Sequence, residues 1–140
     1  MSKEGYLYDV FLICTVRDAD DTDKKFINDY LTELRSQGKK VYYPADDTVQ
    51  TDPSGGYQIC SDNYRAIMRS KEAHVYWTEK SQGTKFDLGM AFYEHRNYGK
   101  KIKLANRIQV EEIVKEQKNK DLKKSFEMVL LRLDDLARNL

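Results

Sequence analysis

Cysteine is scarce in this chain, and the two that occur, Cys14 and Cys60, show no CxxC spacing. Two are too few for a disulfide framework, so buried thiols in a reducing compartment are the expectation. An excess of either charge is also missing: 24 Lys and Arg stand against 23 Asp and Glu, a formal net charge of +1. No polyanion partner is implied, which removes nucleic acid and anionic membrane surfaces as charge-driven partners. No apolar run approaches the length that spans a bilayer. The opening MSKEGYLYDV lacks the apolar core and small-residue cleavage site of a signal peptide. The expected location is therefore the cytoplasm.

What is present, in 140 residues, suits one domain with one core. YLYDVFLICTV (6–16) is dense in β-branched and aromatic residues, as in a central strand buried on both faces. Asp20 to Asp23 offer caps for a helix carrying Phe26, Ile27, Tyr30, Leu31 and Leu34, which Gly38 ends. KKVYYP (39–44) reads as the second strand and ADDTVQTDPSGG (45–56) as a long loop. Tyr57, Cys60, Tyr64 and Ile67 mark a second helix, AHVYWT (73–78) a third strand, and SQGTKFDLGMAFYE (81–94) opens a third helix running to Gly99. KKIKLAN (100–106) is the fourth strand; helices follow over Gln109–Gln117 and Asp121–Asn139. Strands alternating with helices predict an α/β fold: a flavodoxin- or Rossmann-like parallel sheet of four to five strands, helices on both faces, and a C-terminal helix. With no repeat and no linker, residues 1–140 form a single domain, with a core over about 6–106 and C-terminal helices over 109–139.

Ligands of such sheets bind outside the carboxyl ends of the strands, near a topological switch point. Three segments qualify. After the first strand, Thr15 offers a hydroxyl and Arg17 a fork of donors suited to an oxyanion. The plainer reading of Arg17 is a surface cation paired with Asp18 or Asp20. The absence of GxGxxG and GxxxxGK[ST] excludes a dinucleotide fingerprint and a P-loop. After the second strand, Asp46, Asp47, Asp52, Asp62 and Asn63 lack calcium-loop spacing and read as turn and cap residues, so no metal is expected. After the third strand, Ser81, Gly83 and Thr84 stand at a helix start, where free amides and the dipole favour an anion. Asp87 is the one acid in the apolar run FDLGMA. Thr84 and Asp87 also fit the [ST]xx[DE] spacing of a capping box, a purely local role for the acid.

SxGTxFDLGMAF, preceded by a strand that follows Lys71-Glu72, resembles the signature of the nucleoside 2-deoxyribosyltransferase-like family, which includes deoxyribosyltransferases and nucleoside 5′-monophosphate N-glycosidases. The resemblance runs from about Tyr8 to Ala105. It implies that Asp87 is a nucleophile that attacks C1′ of the sugar, displaces the base and forms a glycosyl-enzyme ester, later resolved by water or a second base. Ser81, six residues before Asp87, and the hydroxyl-x-Arg element Thr15-Val16-Arg17 resemble the monophosphate hydrolases and imply a 5′-phosphate ligand. Gly83, Thr84, Asn63, Asp62 and Glu72 complete the substrate-binding set so implied. No cofactor is expected; the partner is a small nucleoside or nucleotide. Two positions depart from the family. Its nucleophile is usually Glu, and Asp87 is shorter by roughly 1.3–1.5 Å of reach. Tyr64 aligns with a position that is often Asp, for which Asp62 or Asn63 would substitute.

On the third helix Phe86, Met90 and Tyr93 read as the apolar face, with Gly89 permitting close packing and Asp87, Ala91 and Glu94 on an adjoining stripe. Leu122, Phe126, Val129, Leu130, Leu133 and Leu136 form a broad stripe that either covers the sheet or pairs with another subunit of a homo-oligomer. His74 and His95 have no place in the implied chemistry. Two other readings stand beside the first. YDVFLICTVRD is similar to the opening of Toll/interleukin-1 receptor domains, which implies NAD cleavage or signalling assembly. The shortened acid suits a nucleotide-binding module without catalysis.

Overall fold

A computed structural model describes residues 5–117 and 123–140. The elements, in chain order, are β1 (Tyr8–Ile13), α1 (Asp21–Ser36), β2 (Val41–Tyr42), α2 (Pro44–Asp47), α3 (Tyr57–Met68), β3 (Ser70–Val75), α4 (Gln82–Tyr98), β4 (Lys101–Leu104), α5 (Arg107–Gln117) and α6 (Phe126–Arg138). All four strands are parallel, in the order β2-β1-β3-β4. The expected α/β parallel sheet with helices is what forms. None of the helices among the described residues is long and apolar enough to cross a membrane.

β1 is central because its side chains are apolar on both faces. Phe11 and Ile13 join the cluster under α3, α4 and α6, while Val10 and Leu12 join the one under α1. α1 begins where the sequence places it: Asp20 accepts from the Asp23 amide at 2.8 Å and Asp23 from the Asp20 amide at 3.1 Å, a reciprocal capping box. Asp23 also takes the Tyr76 hydroxyl at 2.7 Å, which ties this cap to the sheet.

Several boundaries differ from the sequence reading. β2 pairs over two residues, because Pro44 turns the chain into the short α2 within the expected loop. β3 starts at Ser70, three residues early, so Glu72 lies inside the strand. Beyond its assigned end the path stays extended, Tyr76 donating its amide to Ile13 O at 2.9 Å. α5 starts at Arg107 rather than Gln109. The expected start of the last helix, Asp121, lies outside the described residues, and α6 is capped by Ser125, whose Oγ accepts from the Met128 amide.

α4 largely turns away from its expected face, of which Met90 still packs against the core. Asp87, Leu88, Ala91 and Glu94 are buried, while Phe86 and Tyr93 are exposed. α6 fastens to the β4 edge through polar groups as well as Leu130 and Leu133. Asp134 accepts the Leu104 amide at 2.7 Å and Arg107 Nη1 at 2.6 Å, and Glu127 accepts Trp77 Nε1 at 2.7 Å. A carboxylate thus supplies what a fifth strand would supply to this edge.

Candidate functional site

The chain crosses from β1 to β2 on one side and returns to β3 on the other, so the switch point lies between the carboxyl ends of β1 and β3. A cleft of about 150 Å³ opens there. Thr15, Arg17, Asn63, Ser81, Gly83 and Asp87 line it, six residues drawn from three separate segments.

Ser81 closes the bottom as the N-cap of α4. Its Oγ accepts from the Thr84 amide at 3.1 Å and lies 2.8 Å from Thr84 Oγ1. Thr84 is wholly buried behind Ser81 and does not line the cleft. This corrects the local reading of the acid: Ser81, not Thr84, is the cap, so Asp87 is the sixth helical residue and caps nothing. α4 leaves the first amides, at Gln82 and Gly83, without intrahelical acceptors. At Gly83 the position of an added Cβ meets no atom within 4 Å, so the approach to these amides is open.

Thr15 Oγ1 is buried, its residue 1% exposed, and among the described residues it has no hydrogen-bond partner. An unsatisfied buried hydroxyl is costly, and one beside a cleft is met by whatever occupies it. Arg17 sits at the mouth. It pairs with neither Asp18 nor Asp20 among the described residues; its Nη2 donates to Gln50 O at 2.7 Å. Gln50 is itself held by Nε2 bonds to Pro44 O at 2.9 Å and Thr48 O at 3.2 Å.

Asp87 is 7% exposed. Burial pushes its carboxyl up to about 7, against a smaller opposing effect from Asn63, whose Nδ2 lies 3.4 Å from Oδ2. The helix dipole does little to hold this acid ionised, because it fades beyond the first turn and Asp87 is in the second. Asn63 is aimed by a buried chain: Thr48 Oγ1 donates to Asn63 Oδ1 at 2.8 Å and receives Tyr42 OH at 2.6 Å. With its oxygen so engaged, the Asn63 amide must turn its nitrogen toward Asp87.

Two expected residues lie elsewhere. Asp62 is one residue from Asn63, about 100° round the helix, and bonds Gln58 Nε2 and Arg65 Nη1 at 2.8 Å each. Glu72, drawn into β3, bonds His74 Nε2 at 3.0 Å and Lys103 Nζ at 3.2 Å, and those contacts hold its carboxyl down at about 2. The sequence reading missed Cys14, Cys60 and Gln50 as lining residues. Cys14 follows β1 directly, so the strand-end rule would have found it; its thiol is pushed up to about 12, chiefly by burial. Thr48 carried no signal at all. The acids after β2 act as turn residues, as expected: Asp52 accepts from the Ser54 and Ile59 amides and Asp47 from the Tyr43 amide. Among the described residues no group of three or more His, Cys, Asp or Glu is placed to hold a metal. Compared with protein-family models and with curated proteins, the chain matches none.

Proposed function

We propose that this protein cleaves the N-glycosidic bond of a nucleoside or nucleoside 5′-monophosphate, with Asp87 as nucleophile. The observation that carries the reading is the meeting, in one cleft, of a buried carboxylate with a helix start, an unsatisfied Thr15 hydroxyl and the Arg17 guanidinium. The cationic and donor groups suit a phosphate, and the carboxylate suits the sugar attached to it. The resemblance of SxGTxFDLGMAF to deoxyribosyltransferase-like proteins supports the same assignment.

In this reaction an Asp87 oxygen bonds to C1′ as the C1′–N bond breaks. The bonding pair leaves with the base, which takes a proton from water. Water, or a second base, then attacks C1′ and the ester bond breaks, returning the carboxylate. Asn63 holds Oδ2, leaving Oδ1 for attack. Only the ionised acid attacks, so kcat/KM should rise with pH up to about 7 and level off above it.

A second reading has its own support. An acid titrating near 7 is partly protonated at neutral pH and can donate a hydrogen bond, which suits a nucleotide-binding module without turnover. Incubation with a panel of nucleosides, their 5′-monophosphates and NAD, with released base followed by chromatography, separates these readings. Release from a monophosphate that disappears in Asp87→Ala supports cleavage. Thermal stabilisation by a monophosphate without release supports the module. Release of nicotinamide alone, or full turnover by Asp87→Ala, overturns the assignment.

A further inference from the structure

Outside the cleft, α4 and α6 leave an unusual face between them. Lys85, Gly89, Phe92 and Arg96 follow one stripe of α4, and Phe126, Val129, Arg132 and Leu136 follow one side of α6. Two adjoining clefts of about 490 and 230 Å³ share Phe92 and Val129, so they form one continuous groove. From Lys85 to Arg96 the α4 wall rises roughly 16 Å, about three helical turns. Its apolar side chains stay in solvent: Phe92 is 40% exposed, Phe126 41%, Met128 54% and Leu136 47%. Apolar surface gathered in this way marks an interaction site.

Two observations say what fits. The first is charge. Lys85, Arg96, Lys124 and Arg132 border the groove, and among the described residues no carboxylate lines it. On the two helices Glu94, Glu127 and Asp134 are buried, and Asp135 pairs with Arg107 at 2.7 Å. In a chain whose acids and bases nearly cancel, this face is of one sign. The second is Gly89. A glycine in mid-helix costs about 1 kcal/mol relative to alanine, yet beyond its own turn of helix no atom of the described residues lies within 4 Å of where its Cβ would stand. The expected close packing of Gly89 within the fold is absent, and the room it leaves faces the groove.

The geometry points to a docking groove for an acidic amphipathic helix of a partner protein, about three turns long. Its apolar side would lie over Gly89, Phe92 and Val129, and its carboxylates would reach the four cations. A second copy of this chain is the poorer occupant, because a two-fold contact would oppose two basic rims, and among the described residues no acid lines the groove to pair them. A bilayer is poorer too, because a concave groove between helices cannot be filled by a flat surface.

Fluorescence anisotropy tests this directly, independently of any turnover at Asp87. The probe is a labelled synthetic helix with Leu at i, i+3, i+4 and i+7 and Glu elsewhere; its counterpart carries Lys for Glu. The acidic peptide should bind saturably and weaken with salt, with the Lys counterpart about tenfold or more weaker. Arg96→Glu with Arg132→Glu should reverse that preference. Gly89→Leu fills the groove from an open position on a helix, so it should keep its fold by circular dichroism and lower affinity about tenfold. Equal binding of both peptides, or binding untouched by Gly89→Leu, would overturn the proposal. So would a dimer in sedimentation equilibrium that Gly89→Leu dissolves, or sedimentation with phosphatidylserine vesicles that the acidic peptide does not displace.

Discussion

Asp87 sets the residue scale, because its burial works against stability while serving the site. A carboxyl whose folded pKa of about 7 exceeds its ordinary 3.8 binds more protons in the folded than in the unfolded chain between those values. Its contribution is therefore fully present below about pH 4 and lost as pH rises through about 7. Over that window the loss is on the order of 4 kcal/mol. Asp87→Asn, which cannot ionise, should be more stable than the natural chain by up to a few kcal/mol at pH 8 and nearly equal to it at pH 4, in urea titrations. A difference that grows toward acid pH would contradict the burial account. Thr48 acts one step further back. Thr48→Val removes the donor that aims Asn63, so the amide no longer presents its nitrogen and the Asp87 pKa should rise further; carboxyl ¹³C shifts report it. Leaving Asn63 Oδ1 unpaired in the interior should also cost about 1–3 kcal/mol. An unchanged Asp87 titration would show that Asn63 needs no such guide.

At the scale of elements, α4 is capped by the Ser81 hydroxyl, and α6 is tied to the β4 edge through Asp134. Ser81 both caps α4 and lines the cleft. Ser81→Ala should cost about 1 kcal/mol of stability by denaturant titration, whereas Ser81→Asp restores a cap. If Ser81 also meets a phosphate, the Asp variant should recover the stability but not the monophosphate-induced thermal shift, since a second anion would stand there. Asp134 joins the Leu104 amide of β4 to Arg107 and Arg138. Asp134→Ala leaves the Leu104 edge amide unpaired and takes one partner from Arg138 and one from Arg107, which keeps Asp135, a loss of about 1–3 kcal/mol. Amide exchange at Leu104 should quicken most, because that hydrogen bond holds the open edge of the sheet.

The whole molecule places its helices unevenly. Among the described residues α1 packs on one face of the sheet, through Ile27, Leu31 and Leu34, while α3, α4, α5 and α6 share the other. By register, Glu72 and His74 stand on the α1 face beside Val10 and Leu12, with Lys103 next to His74. That half of the face is reached by Tyr30, whose hydroxyl lies 2.6 Å from His74 Nδ1. Glu72, held down at about 2, adds stability that is present above its ordinary 4.5 and lost as pH falls through about 2. Asp87 and Glu72 thus tilt the pH profile in opposite directions, on opposite sides of about pH 4.

The sequence by itself determined most of the elements and the place of the cleft. A continuous apolar β1, acidic caps before α1, and alternation of strand and helix dictate a parallel sheet, because local propensity and hydrophobic period agree along the chain. Strand ends then mark Thr15, Arg17, Ser81 and Gly83, since ligand sites follow sheet topology. Which acid meets which partner was decided only by tertiary structure. The [ST]xx[DE] spacing pointed Asp87 at its own helix, and the cap fell instead on Ser81, three residues earlier. Apolar spacing put Phe86 and Tyr93 inside, whereas the sheet took the face bearing Asp87 and Ala91. Glu72 left the site because β3 began three residues early, and Asn63 entered it where Asp62 could not, by one step of helical rotation. A residue's period says that a helix has two faces; only the neighbour it packs on chooses between them.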